Sequence, residues 1–196
     1  MNTATPPPWA ESLLRAVLAP SEFETLAGDL LEEYRESRHA LLGARRADGW
    51  YVRQVFGFVV RTSMTWGVLL GVAMVARDAL DWFLPPPDFH TRAAASTYFA
   101  MSVLLMAGFR ASWRSGSWPA GGIAGVVTAG IAAFISLIGA AGLLTVWHDP
   151  RTLAAIAASG GLSEAFTLPL FAFVPGMLLG TVGGSLAAAG RSLHPV

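Results

Sequence analysis

The apolar positions of this 196-residue chain fall into two regimes. Over the first 54 residues they recur every three or four places between polar ones, the spacing of one face of a helix; from residue 55 onward they merge into long blocks with scarcely a charge. In the first regime Pro6, Pro7 and Pro8 lead into Trp9, Leu13, Ala16 and Val17, a stripe that stops before Pro20. Ser21 with Glu24 has the form of a capping box, and Phe23, Leu26, Leu30 and Tyr34 continue along one face while Glu22, Asp29, Glu32, Glu33, Arg35, Glu36 and Arg38 coat the other. Gly43 is the expected stop of this second helix, and Trp50 the start of an approach to the membrane. The pattern predicts a cytoplasmic helical hairpin docked at the inner leaflet.

The second regime is read against a bilayer core roughly 30 Å thick, which about 20 apolar helical residues cross. Four stretches qualify, at residues 55–76, 93–109, 121–146 and 168–189. The first contains Arg61 near its start, from where a long side chain snorkels to the headgroups, and the fourth contains Pro169 and Pro175, which predict a kink. The expected architecture is all-α: a four-helix transmembrane bundle (residues 55–196) behind a helical prefix module (residues 1–54). Between spans, Pro85, Pro86 and Pro87 predict a stiff extended return, and Asp149 before Pro150, with Ser159, Gly160 and Gly161 as a stop, predicts a short helix on the outer surface. Met1 to Leu18 has no basic leader and its apolar run is broken by Arg15, so no cleavable signal peptide is expected.

Composition sharpens this picture. Hydrophobic residues make up 54% and charged residues 13%, against roughly a quarter charged in a typical soluble domain, so an ordinary globular enzyme and a disordered tail are both excluded. Formal charge is zero overall but −2 over residues 1–54 and +2 over the remainder, which implies no bulk attraction to nucleic acid. Arg45, Arg46, Arg53, Arg61, Arg110, Arg114 and Arg191 flank one side of the predicted topology and Arg77, Arg92 and Arg151 the other, which places both termini in the cytoplasm. Trp50, Tyr51, Trp113 and Trp118 on the inner side, with Trp82 and Trp147 on the outer, are the expected interfacial anchors.

The spans carry small residues at four-residue spacing: Gly176, Gly180, Gly184 and Ala188 on the fourth; Gly121, Gly125, Ala129 and Ala133 on the third; Gly67 and Gly71 on the first. Such stripes let helix backbones approach, either within the bundle or against another membrane subunit.

Several chemistries are excluded by the residues themselves. With no Lys there is no phosphate-binding-loop ATPase, and with no Cys no thiolate metal site, cysteine nucleophile or disulfide. His39, His90, His148 and His194 stand apart, none paired with Glu at zinc spacing, and Ser163 with Glu164 and His148 lacks a nucleophile-elbow pattern. The second, third and fourth spans hold no ionisable residue between their ends; Ser102, Thr128, Ser136 and Thr181 supply the polarity there, and such hydroxyls ordinarily bond back to their own helix. Neither an enzyme nor an ion-coupled carrier is expected. His90 and His148, at outer span ends, are the residues that could act as axial ligands to a haem or related macrocycle, but interfacial imidazole is ordinarily just solvated, and no cofactor or metal is expected.

One resemblance adds to this. The run Pro7, Pro8, Trp9, Ala10, then Leu13, Leu14, Arg15, then Gly28, Asp29, Leu30, Glu32, Glu33, Tyr34, and finally Trp50, Tyr51, Arg53, Gln54 resembles the permease prefix domain found ahead of duplicated export-type permeases in acidobacteria and gemmatimonads. The resemblance covers about the first 60 residues, and no permease body follows in this sequence, so permease activity does not carry over. It implies a bacterial inner-membrane protein and marks Asp29, Glu33 and Tyr34 as an expected cytoplasmic interaction surface. The expected function is a non-catalytic accessory or scaffold subunit, embedded in the lipid bilayer and docked on a larger integral-membrane complex, either an export permease or an energy-transducing assembly such as a photosynthetic or respiratory one. A small stand-alone transporter, a lipid-handling protein and a membrane-anchored regulator are the alternatives.

Overall fold

The computed structural model describes residues 4–84, 89–146, 166–167 and 169–193, with Pro150 and Ala154. The described chain is 93% helix and contains no strand. In order it forms α1 (Pro8–Val17), α2 (Pro20–Glu33), a π-helical turn (Tyr34–Arg38), α3 (His39–Leu42), α4 (Ala44–Phe83), α5 (Phe89–Ser115), α6 (Pro119–Val146) and α7 (Phe173–Leu193). Four of these helices are long and apolar enough to cross a membrane. They match the four predicted stretches in order, each differing at its ends.

The largest difference is α4, at 40 residues against 22 predicted. At 1.5 Å per residue it is about 60 Å long, roughly twice a hydrocarbon core. The polar lead from Ala44 to Gln54 belongs to the same unbroken helix as the apolar stretch, so no linker separates the two regimes at residue 54. Gly43 sits at φ 75° between α3 and α4, the left-handed conformation that glycine adopts without penalty, and it turns the chain there as expected.

Local starts differ too. α2 begins at Pro20, pre-set for a first helical position, and the backbone N–H of Ala19 donates to Glu22 Oε2 at 3.4 Å; Ser21 and Glu24 do not form the predicted box. In α1 the buried stripe is Ala10, Leu14 and Val17, one position on from the predicted one; Trp9 is 54% exposed, edge-on to Phe56 of α4. α7 is regular only from Phe173, which places Pro175 in its first turn, where backbone N–H groups have no intrahelical acceptor. The chain is already helical at residues 169–171 and is interrupted at Ala172, three residues before Pro175, so the break in this span falls beside the proline. Pro85, Pro86, Pro87, Trp147, His148, Asp149 and the predicted surface helix with its Ser159, Gly160 and Gly161 stop, apart from Pro150 and Ala154, lie outside the described residues.

α6 is the central pillar, packed on α4, α5 and α7. Its contact with α4 is a parallel ladder that repeats each turn: Gly67 against Ile131, Gly71 against Ile135, and then, with the partners reversed, Val75 against Gly139. A methyl group added at Gly71 would lie 2.7 Å from Ile135 Cβ, so each glycine is the notch that receives a branched side chain. Its contact with α7 uses another face and runs antiparallel: Gly121 against Gly184, Gly125 against Gly180, Ala129 against Gly176. α1 lies across the end of the bundle where the first part of α4, the last turns of α5 and the start of α6 meet. The last turns of α7 reach the same end, Gly190 lying beside Trp113.

Candidate functional site

Three regions carry the residues singled out by sequence. The first is the glycine interface inside the bundle. Gly121, Gly125, Gly176, Gly180 and Gly184 are all buried, and a Cβ at Gly180 would meet both the carbonyl oxygen of Gly121 and, at 3.0 Å, the Cα of Gly125. A Cβ at Gly108 of α5 would in turn strike Gly180, so α5, α6 and α7 converge with backbone on backbone at this level. Ala188 is half-buried, and Gly67 and Gly71 are buried against α6. The stripes that could have faced a partner subunit are consumed within this chain.

Sequence reasoning missed Gly108, Gly139 and Gly183. The signal for the last was the doublet Gly183–Gly184: adjacent helical residues point about 100° apart, so the pair serves two neighbours, with Gly184 meeting Trp118 and Ser112 and Gly183 meeting Leu105 and Phe109 of α5. Of the four intramembrane hydroxyl residues, Ser102 donates to the carbonyl of Tyr98 at 2.8 Å and Thr181 to that of Met177 at 2.7 Å, as expected. Thr128 and Ser136 instead have buried hydroxyl oxygens with no hydrogen-bond partner among the described residues, the close packing of α6 having taken precedence.

The second region is the hairpin core, which gathers the apolar and aromatic members of the prefix resemblance. Ala10, Leu14, Leu30, Tyr34, Trp50 and Tyr51 share one cluster with Val55 and Val59 of α4. Tyr34 and Tyr51 meet edge to face at 5.9 Å between ring centroids, and the guanidinium of Arg38 lies over Trp50 at 5.1 Å while also holding Glu33 at 2.7 Å. Trp50 and Tyr51 are therefore core residues and not exposed anchors; Trp82, expected as an outer anchor, is likewise buried, while Trp113 and Trp118 are about half exposed. Of the expected interaction surface, Tyr34 is only 2% exposed and belongs to the core; Asp29 and Glu33 are on the surface. The Tyr34 hydroxyl donates to Asp48 Oδ1 at 2.7 Å. Burial, then this carboxylate, pushes its pKa up to about 12.

The third region is the seam between hairpin and bundle. Arg114 of α5 pairs with Glu22 of α2 at 2.8 Å. One turn before it, Arg110 faces a crevice between α4 and α5, lined by Thr62, Ser63 and Trp66 of α4 and closed by Val17 of α1. At the opposite end Asp81 of α4 bridges Arg77 and Arg92, the latter at 2.7 Å, and ties α4 to the start of α5. His90 lies on the surface there. No group of three or more His, Cys, Asp or Glu positioned for a metal occurs among the described residues. No family model, curated protein or solved structure matches this chain.

Proposed function

We propose that this chain is a non-catalytic accessory subunit of a larger bacterial inner-membrane assembly, its bundle embedded in lipid and its hairpin on the cytoplasmic side with both termini. The observation that carries this reading is the close packing of α6 on α4 and on α7, where glycine meets glycine backbone to backbone and α5 meets Gly180 at the same level, filling the space a carrier would keep as a pathway. Such an interior serves cohesion. Among the surfaces left for a partner are the outer faces of α4, with Phe56, Val60, Met64, Val68 and Val72, and of α7, with Val174, Met177, Leu178, Val182 and Leu186; α5 and α6 add Tyr98, Phe99, Phe134 and Ile138. These are large flexible or branched side chains, suited to packing against lipid or another subunit alike.

The arginine distribution supports the orientation, since the hairpin end of the bundle carries Arg45, Arg46, Arg53, Arg61, Arg110, Arg114 and Arg191. The shared cluster around Tyr34 supports treating the hairpin as a prefix module of the permease type, here built onto the first span. An export permease and an energy-transducing complex are the two partner classes under this reading. Purification in mild detergent from the native membrane, with mass identification of co-migrating chains, tests it. Stoichiometric recovery with larger membrane subunits is the expected result; recovery only as a monomer or homo-oligomer overturns it.

A further inference from the structure

The crevice between α4 and α5 brings polar side chains into the bundle from the hairpin end. Its volume is about 40 Å³, room for roughly three water-sized spheres and so for one phosphate group, but not for a sugar or a ring. Its lining contains two guanidinium-bearing residues, Arg110 and Arg114, the hydroxyl residues Thr62 and Ser63, and no carboxylate. Arg110 and Arg114 lie one helical turn apart and both are exposed, so their guanidinium groups are free to turn toward an anion seated at the mouth of the crevice. Arg114 already has Glu22, at the outer edge; Arg110 has no ion pair among the described residues. The crevice opens where α4 and α5, which touch each other only sparingly, separate at the level of the last turns of α5.

We infer that this crevice binds the phosphate of a net-anionic phospholipid, with Arg110 and Arg114 as its donors. Guanidinium groups hold phosphate oxygens through parallel N–H donors, and a basic notch between spanning helices near one membrane surface is suited to an anionic headgroup. The acyl chains then run along the exposed apolar sides of α4 and α5, toward Met64 and Met106. The bound lipid completes a seam that the two helices leave open, and links it through Arg114 and Glu22 to the hairpin. The inference rests on the four helices crossing a bilayer and not on the accessory-subunit reading.

The test uses the full chain, delipidated in mild detergent, and reads its thermal unfolding midpoint. Dioleoylphosphatidylglycerol added to the micelles is expected to raise the midpoint by about 5 °C, as a saturating ligand does, with dioleoylphosphatidylcholine giving no such rise. Arg110→Gln and Ala111→Leu, which removes the charge or fills the crevice, should each abolish the rise, while Arg45→Gln, an equal charge change at the start of α4, should keep it. An equal rise with phosphatidylcholine, or a rise retained in Arg110→Gln, overturns the inference. So does an equal rise with inorganic phosphate at the same concentration, which would assign the site to a free anion. Should Arg110→Gln fail to fold, Ala111→Leu decides: retention of the rise there overturns the inference as well.

Discussion

Tyr34 donates its phenolic hydrogen to Asp48 across the turn that joins the second helix to the long first span, at 2.7 Å and almost out of solvent. The bond needs a protonated phenol and a charged carboxylate. Because the folded state holds the phenol at about 12 against an ordinary 10, its contribution is complete below pH 10 and is lost as pH climbs from 10 through 12. Two pKa steps correspond to about 3 kcal/mol. Tyr34→Phe should therefore lower stability at neutral pH by about 1–3 kcal/mol, and its denaturation curve should be flatter than that of the parent chain between pH 10 and 12. Identical pH profiles for the two proteins would show that this pair does not govern alkaline stability.

Gly180 sits where the backbones of α5, α6 and α7 come together, so Gly180→Leu acts first on the bundle itself. A leucine side chain there has no space and should cost more than about 3 kcal/mol, the upper range of overpacking, because backbone and not side chain must give way. Loss of the monomer's cooperative melting is expected. A variant that melts like the parent would show that α7 does not pack on α6 through this stripe.

Leu178 is on the outer side of the same helix and 57% exposed. Leu178→Ala should change the stability of the isolated chain by less than about 0.5 kcal/mol. If α7 presents the docking face, the substitution should nevertheless reduce co-purification with larger subunits, and unchanged recovery would move the interface off α7 to the exposed faces of the other spans.

The Glu22–Arg114 pair is roughly half exposed on both sides. A double-mutant cycle with Glu22→Gln and Arg114→Gln should give a coupling energy of about 0.2–1 kcal/mol that shrinks in high salt. Coupling well above that range would mean the seam is more dehydrated than its exposure indicates.

The four spanning helices were legible because apolar runs of such length have few other uses, and the Gly43 stop because a polar helix meeting an isolated glycine has an evident end. What the pattern could not supply was direction. Trp50 and Tyr51 read as membrane anchors, and only the return of α1 against α4 makes them core. The glycine stripes announced close contact without naming the partner; Gly176, Gly180 and Gly184 find theirs in α5 and α6 of the same chain. The Arg110 crevice was invisible, since Thr62 and Arg110 are brought together only by the antiparallel passage of α5 beside α4. Tyr34 was marked by resemblance as a surface residue, yet its place on the stripe with Leu30 already assigned it to the interior.

The central position of α6 has a consequence for biogenesis. Of the spanning helices α4 and α5 leave the ribosome first but share little surface, so the pair has no extensive packing of its own until the third crossing arrives to fill the notches of α4. The early intermediate in the membrane is then two loosely tethered hairpin arms, held at one end by the Asp81 bridge to Arg92. Consolidation waits for the translation of α6 and is finished by α7, so that a nascent chain halted between them would be a substrate for membrane proteases.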